Sequence, residues 1–150
     1  MNLIAPLINP ESIVTAEAFS SKKKLFEHAA QLFSQSNGLK KQDVFNSLFE
    51  RERLGSTALG YGVAIPHGRI KGLDDAVGAL YRMAPPLEFD APDGQPVNLC
   101  FVLLVPQDAN EHHLQILGEL AQLFGDAAMR NQLQSAAPEA LFGLLTAWTA

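Results

Sequence analysis

The run Leu99-Cys100-Phe101-Val102-Leu103-Leu104-Val105 is the longest apolar stretch in the chain, and it constrains the fold more than any other feature. It is strand length, far short of the ~18 apolar residues that a membrane span needs. A strand that is apolar on both faces must also be covered on both faces. With the D-A-P-D-G-Q-P turn cluster just before it, the central strand is expected over Val97 to Val105. A second strand is expected over Ala76 to Met83, after the L-D-D turn. The covering layers are supplied by helical patterns at the two ends of the chain. Ser20 or Ser21 can cap a helix from about Lys22 to Gln35, where Leu25, Ala29, Leu32 and Phe33 recur at helical spacing. Asn37-Gly38 ends it as a left-handed cap. A second helix is expected over Lys41 to Arg53, with Val44, Phe45, Leu48 and Phe49 as its core stripe. Asn110 caps a third to about Gly125, and two shorter helices follow over Asp126 to Gln134 and Glu139 to Trp148. The N-terminal stretch reads as loop, with Ile13-Val14 a short strand. The expected fold is a single α/β domain over residues 1–150, a small mixed β-sheet flanked by helices on both faces.

Composition narrows the function classes. At 150 residues and 47% apolar content the chain can bury one sizeable core. A net charge of −5 argues against nucleic-acid binding, which requires a basic face, and fits a basic or neutral protein partner. The N-terminus, M-N-L-I-A-P-L-I-N-P, has no basic n-region and is broken at Pro6, unlike a secretory signal. The single cysteine, Cys100, lies inside the apolar run and reads as a buried strand residue. Lys22, Lys23 and Lys24 read as a solvated first turn, and Trp148 as a packing residue. A cytoplasmic protein is expected.

The chemistry is concentrated in Leu54 to Gly68, L-G-S-T-A-L-G-Y-G-V-A-I-P-H-G. Here His67 follows the short apolar run Val63-Ala64-Ile65. Pro66, with fixed φ and no N–H, is expected to stop a strand and present His67 at a set angle. Gly68 is expected to leave the backbone beside the imidazole open. Arg51, Glu52, Ser56 and Thr57 stand just upstream, with Glu52 read as a surface or orienting residue. Of the other histidines, His28 lies about 100° from the centre of its helix stripe, a flank position. His112 and His113 are adjacent and cannot point the same way. With Leu117, Leu120, Ala121 and Phe124 as the core stripe, His113 faces inward and His112 faces solvent. An inward histidine in the first turn sits at the positive end of the helix dipole, where anions are attracted. His113 is therefore the expected companion of His67.

Two other chemistries are weaker. Zinc could take His67, His113 and a carboxylate such as Asp108 or Glu111, yet H-E-x-x-H and C-x-x-C are both missing. Leu59-Gly60-Tyr61-Gly62 begins a dinucleotide fingerprint, but its third glycine would fall at Ile65. No metal or cofactor is expected.

The pattern R-E-x-L-x-S-T-x-x-G-x-G-V-A-I-P-H-G, from Arg51 to Gly68, resembles the active-site segment of the fructose/mannitol-type enzyme IIA proteins of the bacterial phosphoenolpyruvate-dependent phosphotransferase system. The likeness extends to S-K-K-K-L-F in the first helix, L-L-V-P at Leu103 to Pro106 and H-L-x-x-L at His113 to Leu117. An opening of the L-I-x-P-x-x-I type, and a chain with no fused transporter or phosphocarrier domain, resemble the nitrogen-regulatory branch of that family. The resemblance implies that His67 takes a phosphoryl group, at Nε2, from a phosphohistidine on a small carrier, HPr or its nitrogen-branch paralogue NPr. It matches Arg51, sixteen residues before His67, and His113 to residues that neutralise and stabilise the phosphate. Ser56 and Thr57 would bind phosphate directly or serve as structural caps after the helix. Two roles of different class then stand open. The phosphorylation state controls binding to regulatory targets such as potassium-transport or sensor-kinase proteins, or the chain passes phosphate to a sugar-specific IIB domain. The nitrogen-branch likeness favours the first.

Overall fold

In the computed structural model, which describes residues 2–149, one strand runs through the centre of the molecule. The elements in chain order are β1 (Ile13–Val14), α1 (Lys22–Asn37), α2 (Lys41–Arg53), β2 (Ala58–Gly60), β3 (Val63–Ala64), β4 (His67–Ile70), β5 (Val77–Leu87), β6 (Val97–Pro106), α3 (Glu111–Gly125), α4 (Ala127–Ser135) and α5 (Pro138–Ala147). Short 3₁₀ turns at Ala5–Leu7 and Pro10–Ser12 precede β1. The sheet order is β1-β5-β6-β3-β2, with β4 pairing β6 as well. β5 lies antiparallel to β6, whereas β3 and β4 run parallel to it. The fold is the mixed sheet between helical layers that the sequence implies.

The two-sided burial of β6 follows from strand alternation. Leu99, Phe101 and Leu103 pack with Ile116, Leu120, Leu133 and Leu145 from the α3–α5 layer. Cys100, Val102 and Leu104 pack with Leu25, Phe33, Val44 and Leu48 from the α1–α2 layer. Phe26, Phe33, Phe101 and Phe124 are fully buried. Each ring of that kind contributes about 1.5–3 kcal/mol relative to exposure. Ser21 Oγ caps α1, and Gly38, at φ 70°, closes it in the left-handed region that suits glycine.

Several local expectations need correction. Phe49 is 38% exposed and stacks on Phe45, because the buried stripe of α2 is only Val44 and Leu48. On α3 the buried stripe is Ile116, Leu120, Leu123 and Phe124, while Ala121 is exposed and Leu117 half-buried. His28 has a definite task, since its Nδ1 lies 2.8 Å from the hydroxyl of Tyr81, a side chain that is otherwise fully buried. Lys22 is not a solvated residue but an ion-pair partner of Glu52. Cys100 is buried as expected, and burial pushes its thiol pKa well up. Trp148 is buried in the α3–α5 core.

Candidate functional site

His67 is the first residue of β4, not a loop residue beyond the end of a strand. Pro66 interrupts the ladder without ending it. β3 and β4 are two pieces of one course along β6, with Ala64 opposite Cys100 and His67 opposite Leu103. The Leu103 N–H donates to the Pro66 carbonyl at 2.9 Å and bridges the gap. Alternation then aims side chains from β4 to opposite layers. His67 shares the face of Leu103, toward α3, and Gly68 shares the face of Leu104, toward α2. That placement explains Gly68 differently from the expected open approach. A Cβ there would land on Ser47 Oγ and within 3.0 Å of Ser47 Cβ, so glycine lets α2 close on the strand. Ser47 Oγ also donates to the Arg69 carbonyl at 2.9 Å.

His67 is half-buried at the meeting of two recesses. The larger, about 940 Å³, is lined by His67, Arg51, Leu54, Arg69, His113 and Leu114, among others. The smaller, about 190 Å³, is lined by His67, Arg51, Ser56, Thr57, Ile65 and Ala121. His67 and Arg51 line both recesses, His113 lines only the larger, and Ser56 and Thr57 line only the smaller.

Hydrogen bonds fix what each group can do. His67 Nδ1 lies 2.8 Å from the Ile65 carbonyl oxygen, which can only accept. The ring proton is therefore on Nδ1, and the Nε2 lone pair is free. Burial lowers the pKa of His67, and the positive charge of Arg51 adds to this, while the Ile65 bond and the Glu52 charge act the other way. His113 shows the opposite pattern. Its Nδ1 accepts from the Asn110 N–H at 3.1 Å as part of the α3 cap, so the proton of the neutral ring is on Nε2. His113 is half-buried beside the cleft and His112 is exposed, as expected.

Arg51 folds over the end of its own helix, donating from Nη1 to the Gly55 carbonyl at 2.9 Å. The cation stands at the negative end of the α2 dipole. Ser56 and Thr57 have committed hydroxyl protons. Ser56 Oγ donates to the Phe89 carbonyl, and Thr57 Oγ1 donates to Glu52 Oε1 at 2.6 Å. Both contacts anchor the segment after α2, one to the Phe89 loop and one to the Glu52 side chain, and neither caps a backbone group at the end of the helix. Glu52 is the orienting residue, since its Oε2 also takes the Thr57 N–H. Among the described residues no group of three or more His, Cys, Asp or Glu is arranged to hold a metal ion.

Residues 6–147 match the family model described as phosphoenolpyruvate-dependent sugar phosphotransferase system, EIIA 2. The chain belongs to the EIIA type 2 family. A nitrogen regulatory protein of Bradyrhizobium diazoefficiens is 39% identical over 132 residues, covering 88% of this chain and 86% of the relative. One from Pseudomonas aeruginosa is 42% identical over 127 residues, covering 83% and 82%. The crystal structure of nitrogen regulatory protein IIA-Ntr from Neisseria meningitidis superposes with a TM-score of 0.90 at 45% identity, covering 96% of this chain and 99% of that one. This EIIA type 2 domain thus resembles the nitrogen regulatory members along most of its length.

Three groups at the site went unnoticed in the sequence. Arg69 lines the cleft with His67, and the period-two alternation of a strand would have placed it there had β4 been recognised. Leu54 and Leu114, 86% and 68% exposed, line the same cleft. Both lie outside the buried stripes of α2 and α3, which is the signal that marks them. Among the described residues no helix is long and apolar enough to cross a membrane.

Proposed function

We propose that His67 accepts a phosphoryl group at Nε2 from a phosphohistidine on an HPr- or NPr-type carrier protein, and that its phosphorylation state controls binding to regulatory targets in the cytoplasm. The observation that carries this reading is the Nδ1–H to Ile65 carbonyl bond, which leaves Nε2 as the nucleophilic atom. In the transfer, Nε2 forms a bond to phosphorus as the carrier's N–P bond breaks, and that electron pair returns to the carrier's imidazole. Nδ1 keeps its proton throughout. Exchange between two imidazoles is nearly balanced in free energy, so the protein's task is in-line positioning and charge neutralisation. Arg51 and His113 Nε2–H are the donors for the equatorial oxygens. Ser56 and Thr57 shape the smaller recess, and direct phosphate contact from either requires its hydroxyl to turn from the present acceptor. The exposed Leu54 and Leu114 give a carrier an apolar seat around the histidine.

The similarity to nitrogen regulatory proteins supports a signalling role over sugar uptake. The phosphoryl group brings up to about two negative charges to one point, partly offset by the ring proton kept on Nδ1, enough to switch a docking surface built around it. Potassium-transport proteins and sensor kinases are the target classes. Incubation with phosphoenolpyruvate, enzyme I and the carrier, followed by intact mass, should show one acid-labile phosphoryl group, lost in His67→Ala. Label retained in that variant would sink the assignment. Efficient transfer onward to a IIB domain would favour the sugar-specific alternative.

A further inference from the structure

An unbroken series of contacts connects a lysine on α1 to the imidazole of His67. Lys22 Nζ lies 2.9 Å from Glu52 Oε2. Thr57 donates to the same carboxylate twice, from its hydroxyl at 2.6 Å and its N–H at 3.2 Å. The Ile65 N–H donates to the Thr57 carbonyl at 3.1 Å. The Ile65 carbonyl then accepts from His67 Nδ1 at 2.8 Å. Every link is polar, and together they join α1, α2 and the segments that lead into β2 and β4.

The pair at the head of this series is unlike an ordinary surface ion pair. The Glu52 side chain is only 6% exposed, and both its oxygens are engaged. A carboxylate so shielded from water requires a compensating charge. It is more demanding still beside a histidine that is to carry a phosphoryl dianion, because the two would repel. Lys22 supplies the charge and is itself held. Its ammonium donates to the Phe89 carbonyl at 3.2 Å and lies 5.0 Å from the centre of the Phe89 ring. That carbonyl also takes the Ser56 hydroxyl, so the lysine and the site loop share one acceptor. Asp90, 3.5 Å away, is exposed and adds a weaker contact.

We propose that Lys22 is a positioning residue for His67: it neutralises Glu52 and, through Thr57 and Ile65, sets the tautomer and angle at which the imidazole takes its phosphoryl group. The proposal rests on the reading of His67 as phosphoryl acceptor. Loss of Lys22 leaves the Glu52 charge unopposed, which favours imidazolium over imidazole and disfavours the phosphorylated form. The other charged or titratable groups that share the recesses with His67 are Arg51 and Glu50 from α2, Arg69 from β4, and Glu111 and His113 from α3.

The test combines a pH titration of the His67 ring by NMR with the equilibrium distribution of the phosphoryl group between carrier and protein. Lys22→Met should raise the His67 midpoint by about half a pH unit and shift the phosphoryl group toward the carrier roughly threefold. Lys22→Arg should restore both, which loss of packing alone would not predict. Glu52→Gln removes the charge that Lys22 neutralises and should lower the midpoint, and Lys22→Gln takes the place of Lys22→Met if that variant does not fold. A midpoint that matches the wild type in folded Lys22→Met or Lys22→Gln overturns the proposal. The titration needs no carrier. A wild type that takes no phosphoryl group would therefore remove the acceptor reading alone, with the coupling of Lys22 to His67 still decided by the midpoints.

Discussion

His67 and His113 line one cleft as opposite tautomers: Nδ1 of the first donates to a backbone carbonyl, and Nδ1 of the second accepts from a backbone N–H. One ring therefore offers a bare Nε2 and the other an Nε2–H. A bare ring nitrogen and a hydrogen-bond donor are obtained from the same side chain by the choice of backbone partner.

This division predicts how His113 variants separate. Glutamine at the third helical position can still accept from the Asn110 N–H, as in a capping box. His113→Gln should therefore keep the thermal stability of the wild type while slowing phosphoryl acceptance by about 10–100-fold. His113→Ala should lose the cap as well, at a cost of about 1 kcal/mol. Calorimetry and stopped transfer assays on the two variants check this, and equal stability in both would mean that the cap contributes nothing.

Gly68 predicts a purely structural defect next to the site. Gly68→Ala places a Cβ on Ser47 Oγ, and α2 has to move off β4. A loss of about 1–3 kcal/mol is expected, read from the denaturant midpoint. Ser47→Ala in the same chain removes the nearest atom and should recover part of it. An unchanged midpoint in the single variant would show that the helix yields freely.

Acid should act on the protein through His67. Its folded pKa lies below the usual imidazole value of about 6.5, chiefly because of burial. The unfolded chain then binds this proton first, so the stability is full above about pH 6.5 and is lost as pH falls through the lowered folded value. Denaturation curves at several pH values, compared with His67→Gln, isolate the contribution, which should be missing in the variant. The rate of acceptance should fall over the same acid window, since imidazolium has no lone pair at Nε2. A rate that rises on acidification would contradict the assignment of the nucleophile.

The apolar lining of the cleft predicts a docking effect distinct from chemistry. Leu54→Asp and Leu114→Asp alter exposed side chains and should leave the fold intact. Each should raise the carrier concentration needed for half-maximal transfer several-fold, with the maximal rate little changed. A fall in the maximal rate alone would place these leucines in the chemical step.

Much of this architecture was legible because it rests on local rules. The bounds of α2, the capping of α1 and α3, and the two-sided central strand follow from propensity and hydrophobic period, which need no knowledge of distant partners. What escaped depends on pairing across the chain. Pro66 signals the end of a strand, yet β6 supplies a ladder that resumes at His67, so the histidine starts a strand. Ala121 fits a helical stripe about as well as Ile116 does, and only the packing of α3 on the sheet decides between them. Lys22 belongs to a run of three lysines, and its distinction comes from a carboxylate thirty residues away. At the site, the membership of His67, His113 and Arg51 was readable. The commitment of the Ser56 and Thr57 hydroxyls to Phe89 and Glu52 was not, because it requires the tertiary placement of both loops.

The pairing of β4 with β6 also has a consequence for when the site comes into being. His67–Ile70 take their ladder partners from Leu103–Pro106, and the second histidine arrives later still, on α3. Neither contact is local in sequence, so loop closure has to come first. A nascent chain on the ribosome holds His67 long before it holds the strand that orients it. The cleft is thus completed late in synthesis, and a half-made chain carries His67 without the strand and the helix that frame it.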